Sequence, residues 1–91
     1  MAKHHILFYD YVEDVLERRG PYREAHLARI GAERESGRVL MAGALGDPPH
    51  GAAIVFGPGV EPEMIDAFAR ADPYVEAGLV TSRRVELWNV V

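Results

Sequence analysis

Four histidines, His4, His5, His26 and His50, are the side chains of this chain that ordinarily titrate near neutrality, so acid–base chemistry is weighed on them first. His26 has the most suggestive setting. Tyr22, Arg23 and Ile30 stand three or four residues away and Leu27 is adjacent, a pattern that turns His26, Leu27 and Ile30 partly toward a sheet if the segment is helical. Two readings stay open: a proton-transfer group, or a half-buried histidine bonded to a carbonyl. His4 and His5 are neighbours on a predicted strand and point to opposite faces, which prevents them from chelating one metal as a pair, and His50 falls in a turn. Asp72 is the second unusual residue. It lies four residues after Phe68 and seven after Ile65, prolonging a buried helical stripe into the C-terminal end, where the helix dipole disfavours a carboxylate by roughly 0.3–1 kcal/mol. A functional carboxylate fits that placement, and so does a plain Asp72-Pro73 turn; the two are compatible.

Arg19 and Arg23, four residues apart with Arg18 adjacent, offer planar donor forks that suit a carboxylate or phenolate, although a solvated helix face is the plainer alternative. Gly43 interrupts an apolar strand, which marks either close approach of a ligand or another backbone, or a bulge. Other chemistries lack their residues. With no cysteine there is no disulfide, thiolate metal site or cysteine nucleophile, and there is no glycine-rich phosphate loop, His-Glu-x-x-His motif or nucleophile elbow around Ser36 or Ser82. No metal and no cofactor are expected.

The elements that must position these groups follow from periodicity. Residues 4–12 carry Ile6, Leu7, Phe8, Tyr9 and Tyr11, a strand apolar at odd and even positions alike. Gly20-Pro21 breaks the chain before an amphipathic helix over 22–36, stopped by Gly37. Residues 38–45 and 51–56 form a hairpin around Gly46-Asp47-Pro48-Pro49. A second helix opens near Glu61-Pro62, buries Met64, Ile65, Phe68 and Ala69, and ends near Ala71 before Pro73. Residues 80–91 make the last strand. The order β-α-β-β-α-β predicts an α+β, ferredoxin-like fold: a four-stranded antiparallel sheet with two helices on one face.

A chain of 91 residues is read as a single domain over 1–91, and 48% hydrophobic with 26% charged residues is the balance of a soluble globular protein. A domain of this size hides only about 60–65% of its unfolded surface. Two helices cover one sheet face, so the other face calls for a second copy and a homodimer is expected. A net charge of −4 without a dense basic cluster argues against nucleic acid, and no apolar run reaches the length of a membrane span. The amino terminus leads directly into strand residues, with no secretory h-region, and a cytoplasmic location is expected.

Arg19, Arg23-x-x-His26-Leu27, Gly37-Arg38-Val39-Leu40 followed by Ala42-Gly43, and Asp72-Pro73-Tyr74 with Ala77-Gly78 resemble the YCII-related (YciI-like) family nearly end to end. The resemblance implies a dimeric α+β barrel of ferredoxin-like subunits. It also implies a histidine–aspartate pair in a cleft between helix and sheet, at His26 and Asp72, with an arginine at Arg19 or Arg23. Small cyclic or aromatic substrates follow from the same likeness, since one member resembles a dehydrochlorinase of a chlorinated hydroxyhydroquinone and the wider barrel group includes muconolactone isomerases and quinone-forming monooxygenases. Two departures bear on substrate: Ala44 stands where the family often has proline, and the second hairpin is short. The expected activity is a cofactor-independent lyase or isomerase in which His26 moves a proton, Asp72 orients it, and Arg19, Arg23, Gly43 and Tyr74 bind a small-molecule substrate. The alternative is a ligand-binding module of the same fold without turnover.

Overall fold

A computed structural model describes residues 2–91. Its β1, Ala2–Tyr11, is the β-branched and aromatic run, and it occupies a central place in the sheet. A single turn of helix, α1 over Val15–Arg18, precedes α2 over Gly20–Glu35; Pro21 sits in the first turn, where its missing N–H costs nothing. Gly37, at φ +84, ends that helix in the left-handed conformation that glycine adopts without a Cβ penalty. The hairpin is β2, Val39–Leu45, and β3, Gly51–Phe56. Then come α3 over Pro62–Arg70, the short α4 over Pro73–Glu76, and β4 over Val80–Val90.

The strands run in the order β2-β3-β1-β4 with every neighbour antiparallel, which is the ferredoxin-like arrangement. Leu7 and Tyr9 of β1, with Ile54 and Phe56 of β3, face the helices and pack with Ile65, Phe68 and Ala69 of α3. Their three- and four-residue spacing in α3 is what puts those last three on one face. A second cluster of Val15, Tyr74 and Leu79 draws α1 and α4 onto the end of the sheet.

The two long helices stand where periodicity put them, and two single-turn helices, α1 and α4, were not expected. Segments of four residues carry too little periodic signal to be seen against turn-forming neighbours. The opposite face of the sheet carries Ile6, Phe8, Val55, Met41 and Trp88, paired across strands in register. This face was expected to meet a second copy; within one chain it is open, with Met41 62% and Trp88 45% exposed. Leu27, expected to turn partly toward the sheet, is 47% exposed, and Met64, expected to be buried on α3, is 49% exposed.

Gly51 ties the hairpin to β1. A Cβ there would strike the carbonyl oxygen of Tyr9, so the two strands approach this closely only with glycine. Gly51→Ala is expected to lower stability by about 1–3 kcal/mol through overpacking. Ile65→Ala, at a fully buried position, is expected to cost about 2–5 kcal/mol, both changes being read from urea denaturation midpoints.

Candidate active site

Asp72 does not prolong α3. That helix ends at Arg70 with Ala71 as its C-cap, and Asp72 turns extended, at φ −70 and ψ 126, to become the N-cap of α4. Pro73 enforces the extended geometry at the residue before it. Contrary to the placement expected from spacing, the carboxylate serves the start of one helix rather than burdening the end of another, and capping is what brings it inward. Its Oδ1 accepts the backbone N–H of Tyr74 at 3.0 Å.

Two further donors reach the same carboxyl from distant parts of the chain. His26 Nδ1 lies 2.8 Å from Oδ1, and the Tyr9 hydroxyl donates to Oδ2 at 2.9 Å. Asp72 and Tyr9 are each 1% exposed, so the carboxyl and its phenol donor are shut off from bulk water, while His26 keeps a small exposed edge at 5%. Because the carboxylate accepts at every contact, Nδ1 is assigned the proton, which leaves the lone pair on Nε2. Nε2 has no hydrogen-bond partner among the described residues, yet none of their buried side-chain nitrogen or oxygen atoms is unpartnered; Nε2 is therefore open to the cleft that His26 borders. The Tyr74 ring stacks on the imidazole, with centroids 3.7 Å apart and planes 4° from parallel, fixing its tilt.

Burial first, and then the charge and hydrogen bond of Asp72, push the Tyr9 phenol far above its ordinary range, so it remains a donor. Tyr11, on the same face of β1, is pushed up to about 12, chiefly by burial and then by Tyr74 and Asp72. It meets Tyr74 edge to face at 6.0 Å.

The cleft measures about 210 Å³ and lies between α2 and the sheet. Ala42, Ala44 and Ala52 leave its floor low, Leu27 and Ile30 give it an apolar wall, and Arg19 and Arg23 stand over it. Neither arginine is paired with a carboxylate among the described residues, whereas Arg18, Arg38, Arg70, Arg83 and Arg84 all are. Arg23 reaches the Tyr74 hydroxyl at 3.4 Å.

The family model of the YCII-related domain matches residues 3–89 of the chain. The chain belongs to the YCII-related family. It is 42% identical over 76 residues to Protein YciI of Escherichia coli O6:H1, covering 72% of this chain and 76% of that one, and equally so to Protein YciI of Shigella flexneri. Among solved structures, the fold is similar to the 5-chloro-2-hydroxyhydroquinone dehydrochlorinase TftG of Burkholderia phenoliruptrix AC1100 in complex with 2,5-dihydroxybenzoquinone. That likeness has a TM-score of 0.78 at 19% identity, over 94% of this chain and 93% of that one. A structure described as a "putative antibiotic biosynthesis monooxygenase" of Nitrosomonas europaea has a TM-score of 0.61 at 10% identity, over 98% of each chain. These likenesses bear on the fold.

Of the residues singled out from the sequence of this YCII-related protein, His26, Arg19, Arg23 and Tyr74 border one cleft, and Asp72 lies buried behind it, in contact with His26 Nδ1. Tyr74 is buried against the imidazole as well as bordering the cleft. Gly43 borders it too, but a Cβ there would meet nothing within 4 Å, and the register shift in β2 falls between Val39 and Met41. Neither crowding nor a bulge accounts for that glycine within one chain. His4, 9% exposed, bonds the Phe56 carbonyl through Nδ1 at 3.0 Å, a structural role. Tyr9 and Tyr11 were missed. Their signal was available: hydroxyls at alternate positions on the face of β1 that carries Leu7.

Asp72→Ala strands three donors in a dry site and is expected to cost about 3–5 kcal/mol by chemical denaturation. Tyr9 and Tyr11 hold their protons more tightly folded than unfolded, so their stabilisation is complete below their ordinary value of 10 and declines as pH rises toward about 12. Urea midpoints measured from neutral to strongly alkaline pH should fall over that window, less steeply in Tyr11→Phe.

Proposed function

We propose that this protein is a small-molecule enzyme of the lyase or isomerase kind, in which His26 carries out cofactor-independent proton transfer. The observation that supports it is the buried Asp72 bonded to His26 Nδ1 at 2.8 Å while Nε2 opens into the cleft. A histidine held this way takes a proton from the substrate at Nε2 while the carboxylate stabilises the resulting imidazolium. The imidazolium then returns the proton to another atom, giving an isomer, or the substrate expels an anionic leaving group, giving an elimination.

The substrate is a single small ring bearing an acidic or anionic oxygen. A cleft of about 210 Å³ has room for one ring with substituents, since an apolar cavity of about 150 Å³ accepts benzene. Arg19 and Arg23, free of carboxylates, supply the charge for the oxygen, Tyr74 and Gly43 complete the binding surface, and Leu27 and Ile30 pack the ring. The dehydrochlorinase TftG, whose fold this chain shares, was solved with 2,5-dihydroxybenzoquinone, a ligand of that size and character.

We propose further that the working form is a cytoplasmic homodimer closed over the open sheet face. Ile6, Met41 and Trp88, beside Val55 and the Arg84-covered Phe8, give that face apolar area that two copies would remove from water. Sedimentation at micromolar concentration should report twice the chain mass, and Met41→Glu should shift it toward the monomer; a wild-type monomer would refute the assembly.

The activity is tested with a panel of chlorinated and hydroxylated aromatics and lactones, following consumption and thermal stabilisation together. His26→Ala should lower turnover of the consumed compound by about 10²–10⁴ while the protein stays folded. Arg19→Gln and Arg23→Gln should raise KM by about ten- to a hundredfold, the worth of a charged hydrogen bond. Stabilisation without consumption would instead mark a binding module, and unchanged turnover in His26→Ala would reject the assignment.

A further inference from the structure

We infer that Tyr9 is a positioning residue for the His26 base, its hydroxyl setting which imidazole nitrogen carries the proton. This rests on the acid–base reading above and extends it to a residue outside the cleft. The Asp72 carboxyl has two oxygens with different duties. Oδ1 serves both His26 Nδ1 and the Tyr74 N–H, whereas Oδ2 has only the Tyr9 hydroxyl among the described residues. With Oδ2 anchored, rotation of the carboxyl that would carry Oδ1 out of line with Nδ1 costs a buried hydrogen bond. With Oδ2 unserved, the carboxyl gains freedom to turn or to take up a proton, and either change weakens the hold on Nδ1–H.

Packing alone does not account for the hydroxyl. The ring of Tyr9 belongs to the apolar core with Leu7 and Ile54, where phenylalanine would fill the same space, yet its oxygen spans 63 residues of sequence to reach Asp72. Tyr11, two residues on and facing the same way, borders the cleft and makes no bond to Asp72. The groups acting on Asp72 are Tyr9 and Tyr11 from β1, His26 from α2 and Tyr74 from α4, with Arg83 of β4 near Tyr9 and Arg19 and Arg23 near Tyr11. Of these, Tyr9 is the donor to the free oxygen, and its upward-shifted phenol keeps that proton into alkaline solution.

The test is the ¹⁵N spectrum of the histidine side chains at mildly alkaline pH, which distinguishes Nδ1–H from Nε2–H imidazole and needs no substrate. Wild-type protein should show His26 with the proton on Nδ1. In Tyr9→Phe the Nδ1–H to Nε2–H ratio should fall by about five- to tenfold, the population equivalent of one buried hydrogen bond, while the amide spectrum stays folded. An unchanged ratio in folded Tyr9→Phe overturns the inference. Should that variant not fold, the wild-type hydroxyl proton of Tyr9 is observed directly: a slowly exchanging resonance close to Asp72 supports the inference, and a hydroxyl in rapid exchange with water overturns it. Loss of turnover in His26→Ala is scored separately, so the acid–base reading and the role of Tyr9 fail by different results.

Discussion

A dry carboxylate must be satisfied or it unravels what surrounds it, and in this chain Asp72 is satisfied from three separate segments. The Tyr9 hydroxyl comes from the first strand, the His26 imidazole from the long helix α2, and the Tyr74 amide from the turn that Asp72 itself caps. Burying such a group without partners is prohibitive, and with three donors it becomes a constraint that joins the elements. The same bonds that make the burial tolerable give the imidazole its tautomer and its direction. Stability and the proposed chemistry therefore draw on one set of contacts.

The cleft is the complement of that network. Helix α2 contributes His26 as its buried residue and otherwise leaves most of its length exposed, while α3 carries the main apolar core with Ile65, Phe68 and Ala69. Under α2 the sheet presents Ala42, Ala44 and Ala52 beside Ile54 and Tyr11, and the space the alanines leave is the cleft that His26 borders. Two arginines without carboxylate partners over an apolar hollow are poorly explained as solubility devices in a chain whose other cations are mostly paired. Their field suits an anionic oxygen at the mouth of the site, and Leu27 and Ile30 suit a ring behind it.

The far side of the sheet presents a different constraint. β1 lies in the middle of the sheet and is apolar on both faces, so one face meets helices and the other meets whatever the molecule packs against. A mixed face of Met41, Trp88 and Phe8, the last covered by the Arg84 guanidinium at 4.3 Å, can stand in water and can also be buried. Gly43, whose missing side chain nothing in one chain requires, faces this side with Ala53.

The order of strands and long helices, the stop at Gly37 and the hairpin around residues 46–50 were all legible, because alternation, helical spacing, glycine and proline act over a few neighbouring residues. His26 and Asp72 were legible as unusual residues for the same local reason, and the family likeness supplied their pairing. Continuing the helical stripe to Asp72 was misleading, whereas the alternative of an Asp72-Pro73 turn holds, its carboxylate accepting the Tyr74 N–H; nothing local announces that Pro73–Glu76 form a helix of their own. The Tyr9–Asp72 bond was invisible because an aromatic in a strand pattern reads as core, and only the fold reveals that its hydroxyl ends beside a carboxyl 63 residues away. Sequence by itself thus determined which segments become the strands and the two long helices and which side chains are candidates for proton chemistry. Tertiary structure alone decided which of them share a hydrogen bond, because that depends on how the sheet closes β1 against β3 and β4 and brings α2 and α4 over the same end of it.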